Sequence, residues 1–231
     1  MLRLAIGYLL SFLLAPAVWA QSCSIPASLP APRIENVPAS AVRKADVTGH
    51  ILALSWSPQF CRTHSGARFA SQCGAERFGF ILHGLWPDGA GRDNPQWCKP
   101  VAAVPADVAR KSYCATPSVD LQQHEWAKHG SCVTNDAATY FRTATGLFGA
   151  IKQPDMDRLS RARPTVAGFT KAFIAANRGL RADMIRVTAG KGGWLEEVRL
   201  CLDKDYHTVR CPRDAAGANP RSALKIWRAV K

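Results

Sequence analysis

Acidic residues are scarce in this chain of 231 residues: seventeen Asp and Glu stand against thirty Lys and Arg, a formal charge of +13. That imbalance points to a polyanionic partner and away from a neutral one. Long apolar runs are missing as well. The longest, Leu4–Leu14, falls short of the about 20 residues that a membrane-spanning helix needs. No internal repeat, long linker or low-complexity tract occurs, which excludes repeat arrays and fibrous chains. The eight cysteines include no C-x-x-C spacing, which speaks against a zinc ribbon. Disorder is excluded by what is present: 47% hydrophobic residues and seven Trp are enough to build a core.

The beginning of the chain reads as an export signal. Arg3 precedes the short apolar run, and Val18-Trp19-Ala20 ends it with a small residue before Gln21. Removing residues 1–20 takes away one charged residue and leaves one domain, 21–231, of charge +12 with no membrane span. An exported chain with an even number of cysteines is expected to hold four disulfides in an oxidising compartment, periplasmic or secreted. Residues 21–49, rich in Pro and Ala, read as an irregular leader packed on the domain. Strands are expected at His50–Ser57, Arg77–His83, Met184–Thr188, Trp194–Leu202 and Tyr206–Cys211. Helices are expected at Leu121–His129, capped by Asp120 and stopped by Gly130, and at Ala137–Lys152 and Thr165–Ala176. Strands and helices mix without βαβ alternation, so the expected fold class is α+β: one domain with a mainly antiparallel central sheet, flanked by helices and stapled by disulfides.

Three of the six histidines fall in two segments, ILHGLWPDG at 81–89 and HEWAKHGSC at 124–132. The second superficially suggests a zinc-binding H-E-x-x-H helix, but its histidines are five apart, rotated by roughly 140° on an α-helix. The same spacing makes His124 and Lys128, and Glu125 and His129, i,i+4 neighbours. One helix then presents His, Glu, Lys and His in a single arc, while Trp126 and Ala127 face away. Two imidazoles from different elements, His83 and His129, suit a reaction that needs a base and an acid near neutral pH. Lys128 and His124 suit an anion that gains charge in the transition state. For a basic protein that anion is a phosphodiester. If the nucleophile is a ribose 2′-hydroxyl, neither a metal nor a protein nucleophile is required, no cofactor is expected, and DNA would be inert.

The two histidine segments resemble the active-site segments of the ribonuclease T(2) family, exported endoribonucleases, and among these the bacterial periplasmic, ribonuclease I-like enzymes. LALSWSPQFC at 52–61 resembles the family's first core strand and EEVRLC at 196–201 a late one. The resemblance implies cleavage of single-stranded RNA to a 2′,3′-cyclic phosphate and then a 3′-phosphate, by a monomer. It implies His83 and His129 as the acid/base pair, with His129 the base. It assigns His124 to the phosphate, Glu125 and Lys128 to the phosphorane, Trp86 to stacking on a base, and Asp88 to a base contact. Ser131 stands where the family usually has Thr. Proximity across neighbouring strands suggests Cys201–Cys211. The resemblance adds Cys98–Cys132 and Cys61–Cys73, which leaves Cys23 with Cys114.

Two other classes compete. A metal-dependent hydrolase built on His124, Glu125 and His129 is disfavoured by their spacing. A non-catalytic polyanion-binding protein needs only the charge and leaves the two motifs without a purpose. His50, His64 and His207 carry no partner motif and read as ordinary polar positions. Trp56, Trp97, Trp126, Trp194 and Trp227 read as packing residues.

Overall fold

A computed structural model describes residues 23–74, 78–91 and 94–228. The expected export signal, Met1–Ala20, lies outside the described residues. Among the described residues, no helix is long and apolar enough to cross a membrane.

Four strands form one sheet in the order β2-β1-β4-β3: β1 (Gly49–Trp56), β2 (Phe80–Asp88), β3 (Ile185–Ala189) and β4 (Leu195–Asp203). Every pairing is antiparallel. Alternation along the strands divides the sheet into two faces. Leu52, Leu54, Phe80, Leu82, Leu85, Val187, Val198 and Leu200 turn to one face and are buried. There they join Val108 from α3 (Ala106–Ser112), Tyr140, Phe141 and Ala144 from α6 (Ala137–Gly149), and Phe169 and Phe173 from α8 (Val166–Ala176) in one cluster. Each large apolar side chain so buried contributes about 1.5–3 kcal/mol. The opposite face, where Ser55 faces Glu197 and Ala53 faces Arg199 across β1 and β4, carries the site described below.

Shorter helices complete the chain: α1 (Ser57–Thr63), α2 (Ala70–Cys73), α4 (Val119–Glu125), α5 (Ser131–Val133) and α7 (Met156–Ala162). The cysteines pair as Cys23–Cys114, Cys61–Cys73, Cys98–Cys132 and Cys201–Cys211. The leader is irregular, as its composition suggests. It is held by Cys23–Cys114, by Arg110 donating to the Pro26 carbonyl at 2.7 Å, and by a bridge between Arg43 and Gln96.

Several local expectations need correction. Strand β2 does not end at His83 but runs on to Asp88; as an edge strand it tolerates Pro87, whose missing N–H would break an interior ladder. Residues 206–211 do not form a strand. Tyr206 takes a positive φ of 67°, and the return chain meets β4 only at an isolated bridge between Leu202 and Thr208. The cap of the helix that carries the second histidine segment is Ser118, whose hydroxyl accepts the Leu121 N–H; Asp120 instead pairs with Arg33 of the leader. Gly130 does not stop that helix, which continues to Val133. A Cβ there would stand 2.4 Å from the Trp126 ring and 3.0 Å from Tyr140, so glycine is needed for close packing.

Candidate active site

The β1–β2 register places a bulge at the first histidine. Ala53 faces Gly84 and Leu54 faces Leu82, so His83 is the extra residue with no partner on β1. A bulge re-aims a side chain and breaks the two-residue alternation. Here it lets His83 and Trp86, three residues apart, both reach the face that carries the site. The displaced backbone is satisfied from outside the sheet: the Leu82 N–H donates to the Ala115 carbonyl at 2.8 Å, and the Thr116 hydroxyl donates to the Leu82 carbonyl at 2.8 Å. Just beyond the bulge, the buried Tyr140 hydroxyl accepts the Leu85 N–H and donates to the Leu85 carbonyl.

A second irregularity shapes the other motif. After α4 the helix widens into a π-turn over Trp126–Gly130 before tightening again in α5. Insertions of this kind recur at functional sites. The uniform α-helical rotation assumed for His124 and His129 therefore does not hold. The widened carbonyls find new donors. The Trp97 N–H bonds the Lys128 carbonyl at 2.8 Å, and the Ser131 hydroxyl bonds the Ala127 carbonyl at 2.7 Å while accepting the Cys98 N–H at 3.1 Å. A hydroxyl at 131 thus joins the loop before it to the helix, beside Cys98–Cys132.

These two elements bring His83, Glu125 and His129 together around Trp86. His83 packs edge-on against its ring with centroids 5.2 Å apart, and His129 lies against it at 5.5 Å with a 30° tilt. The indole N–H donates to Oε2 of Glu125 at 2.8 Å, and Oε1 of Glu125 lies 3.5 Å from Nε2 of His83. Glu125 is 2% exposed, and burial pushes its carboxyl above the usual range, against the pull of His83, His124, the Trp86 hydrogen bond and Lys128. His124 faces the leader: its Nδ1 is 2.8 Å from Oε1 of Glu35, and Trp97 meets its ring edge-on at 5.4 Å.

The two candidate acid/base rings sit in opposite electrostatic settings. Burial drives His129 down to about 2, and the nearby charges of Lys128, His124 and His83 push the same way. Its Nδ1 is buried with no hydrogen-bond partner. His83 is also penalised by burial, yet its proton affinity is raised, because it bonds Glu197 and feels the charge of Glu125 and Glu197 more strongly than that of Arg199. Nδ1 of His83 is 2.5 Å from Oε1 of Glu197.

Ser55, Glu197 and Arg199 were not singled out from the sequence as site residues. The only signal was their position in segments read as core strands, and the contact with His83 depends on strand register. Glu35 and Trp97 were missed as well, because both reach His124 from irregular segments. Of the remaining histidines, His50 is buried beside Tyr206, with Nδ1 3.2 Å from the Asp203 carbonyl. His64 stacks on Phe60, and His207 pairs with Asp203.

Two cavities open beside this centre. One, of about 390 Å³, is lined by His83, His124, Ser55, Phe60 and Phe69, with Glu35 from the leader. The other, of about 430 Å³, is lined by Trp86, Asp88, Ile51, Asn94, Arg186 and Arg199. Asp88 is pushed up by burial and by Asp214. Arg199 lies over the Trp86 ring at 5.0 Å. Among the described residues, no three His, Cys, Asp or Glu side chains are arranged to hold a metal ion.

Residues 48–211 match the model of the Ribonuclease T2 family. A probable ribonuclease of Haemophilus influenzae is 35% identical over 181 residues, covering 73% of this chain and 62% of its own length. The chain therefore spans under two thirds of that relative. A ribonuclease of Aeromonas hydrophila is 31% identical over 164 residues, covering 68% of this chain and 72% of its own. The fold is similar to that of trichomaglin, described as a novel S-like ribonuclease, with a TM-score of 0.61 at 19% identity, over 78% of this chain and 98% of that one.

Proposed function

The chain belongs to the ribonuclease T2 family, and on that premise we propose that it is an exported endoribonuclease that cleaves single-stranded RNA by attack of the ribose 2′-hydroxyl. The observation that carries this reading is the placement of His83 and His129 against one indole ring, where Glu197 and Glu125 favour the charged form of His83 and burial leaves His129 neutral. A neutral His129 can take a proton and a cationic His83 can give one.

In the first step His129 removes the 2′ proton and the 2′ oxygen attacks the adjacent phosphorus. The bond to the 5′ oxygen breaks, and His83 protonates that oxygen as it leaves. The products are a 2′,3′-cyclic phosphate and a free 5′-hydroxyl. In the second step water replaces the 5′-hydroxyl. His83, now neutral, takes its proton, and His129 returns a proton to the 2′ oxygen, leaving a 3′-phosphate. The nucleophile belongs to the substrate, so alignment supplies much of the acceleration. DNA, which lacks the 2′-hydroxyl, is not cleaved.

His124 holds the phosphate, and Glu125 and Lys128 stabilise the phosphorane as charge builds on its oxygens. The cavity walled by Trp86 and Asp88 takes a base. The mature protein, residues 21–231, acts as a monomer without a cofactor in the periplasm or outside the cell. Four disulfides support export, since they persist in oxidising compartments.

The decisive experiment is product analysis of an RNA dinucleotide incubated with the mature protein in EDTA. A cyclic phosphate followed by a 3′-phosphate is expected. Activity that vanishes in chelator and returns with zinc would overturn the mechanism.

A further inference from the structure

We propose that Glu197 is the positioning residue of His83, fixing its tautomer and the nitrogen that meets the substrate, and that Arg199 and Ser55 hold Glu197 in that role. The proposal rests on the acid assignment of His83 above and goes beyond it.

The contact crosses the sheet. His83 is on β2 and Glu197 on β4, with β1 between them, a span of about 9.6 Å from strand to strand. Two features make the reach possible. The bulge turns His83 towards β1, and the β1 residues in its path, Ala53 and Ser55, are small. Nδ1 of His83 then lies 2.5 Å from Oε1 of Glu197, and the Ser55 hydroxyl donates to that same oxygen at 3.0 Å. The other oxygen, Oε2, accepts two bonds from the Arg199 fork, at 2.8 and 2.7 Å. Both carboxylate oxygens are thus engaged in a side chain only 11% exposed. Though burial opposes it, these partners hold Glu197 ionised, down to about 2.

An ionised carboxylate accepts but cannot donate. Nδ1 must therefore keep its hydrogen, and Nε2, on the Glu125 side of the ring, is the nitrogen left to exchange a proton with substrate. A carboxylate fixing the tautomer of a catalytic imidazole is a general device. The charged and titratable groups that face His83 are Glu197 and Arg199 from β4 and Glu125 and His129 from the motif helix, and the Ser55 hydroxyl of β1, which gives its hydrogen to Glu197, lies 3.1 Å from Nδ1. Glu197 and Glu125 favour its charged form, and Arg199 opposes it. Because Arg199 also covers the Trp86 ring, the wall of one cavity and the acid share a side chain.

The test compares Glu197→Gln and Glu197→Asp with wild type on an RNA dinucleotide and on a nucleoside 3′-(4-nitrophenyl phosphate), whose leaving group needs no proton. With Gln, cleavage of RNA is expected to fall by about 10²-fold or more, and cleavage of the aryl ester by less than about threefold. The descending limb of kcat/KM against pH should move to lower pH, because His83 loses a proton more readily. Asp should recover part of both effects. Equal losses on the two substrates with an unmoved limb would make Glu197 a structural residue and overturn the proposal. His83→Ala is the control for the reading beneath it. If that variant loses the aryl ester as fully as RNA, the acid assignment fails instead, and ¹⁵N titration of His83 decides the Glu197 proposal. A lowered His83 pKa with loss of the Nδ1–H tautomer in Glu197→Gln supports it; an unchanged titration overturns it.

Discussion

A Cβ on Gly84 would stand 1.8 Å from Oε2 of Glu125 and 2.7 Å from Nε1 of Trp86. The glycine beside the bulged His83 is therefore what lets the motif helix lay its carboxylate against β2. Gly84→Ala should force Glu125 and Trp86 apart. It should lower kcat by about 10²-fold, the scale of a displacement of about 1 Å in a positioned group. The helical core is on the other sheet face, so circular dichroism should be nearly unchanged. Wild-type turnover in this variant would show that the Glu125–Trp86 contact is dispensable.

The sheet, its three longest helical segments and the His-Glu-Lys-His segment were legible in the sequence, because apolar patterning and short-range spacing encode them locally, whereas the short helices α1, α2, α3 and α7 were not foreseen. Residues that act through register were not legible. Nothing near Glu197 in the sequence says that His83 sits two strands away, nor that one extra residue on β2 turns it there. The same limit explains Gly130, read as a helix stop when its neighbours Trp126 and Tyr140 demand the missing side chain. It also explains Asp120, whose capping role went to Ser118 while a leader arginine took its carboxylate. Long-range partners decided each of these cases.

The pH dependence follows from the two displaced histidines. In free enzyme His129 is neutral down to about 2, so kcat/KM on RNA should lack an ascending limb near the ordinary His value of about 6.5. His83 is raised, so the rate should fall only as pH climbs through a value above that reference. The bell is thus broad, with its acid side displaced far down. Measured kcat/KM between pH 4 and 9 checks this, and an ascending limb near pH 6.5 would show that His129 is not held neutral by burial in the free enzyme.

The same burial carries a stability consequence. The unfolded chain protonates His129 near pH 6.5 while the folded chain resists until about 2, so the unfolded state binds more protons in that window. Stability should be full above pH 6.5 and decline as pH falls, by about 2 kcal/mol at pH 5 from this residue. His50, lowered mainly by burial, adds in the same direction. Glu197 loses its contribution only below its unfolded value of about 4.5, and His83, being raised, loses none on acidification. His129→Gln should therefore flatten the fall in Tm between pH 7 and 5, a readout that does not depend on activity. A Tm slope equal to wild type would show that the ring is not held neutral.

The disulfides should separate stability from activity. By loop-closure entropy, Cys23–Cys114, with a separation of 91 residues, is worth about 4.5 kcal/mol, and Cys98–Cys132, with 34, about 4. Replacing either pair by alanine should lower Tm by similar amounts. Their effects on rate should differ, because Cys98–Cys132 sits beside the Ser131 junction and next to the π-turn that carries Lys128 and His129. Cys23–Cys114 fastens the leader, whose Glu35 touches His124 and is not among the groups packed on His83 or His129. Removing Cys98–Cys132 should therefore cost kcat about tenfold at a temperature where both variants are folded, through looser placement of His129. Removing Cys23–Cys114 should act mainly on KM, through His124. Equal kcat in the two variants, measured below both melting transitions, would mean that the π-turn holds His129 without the disulfide.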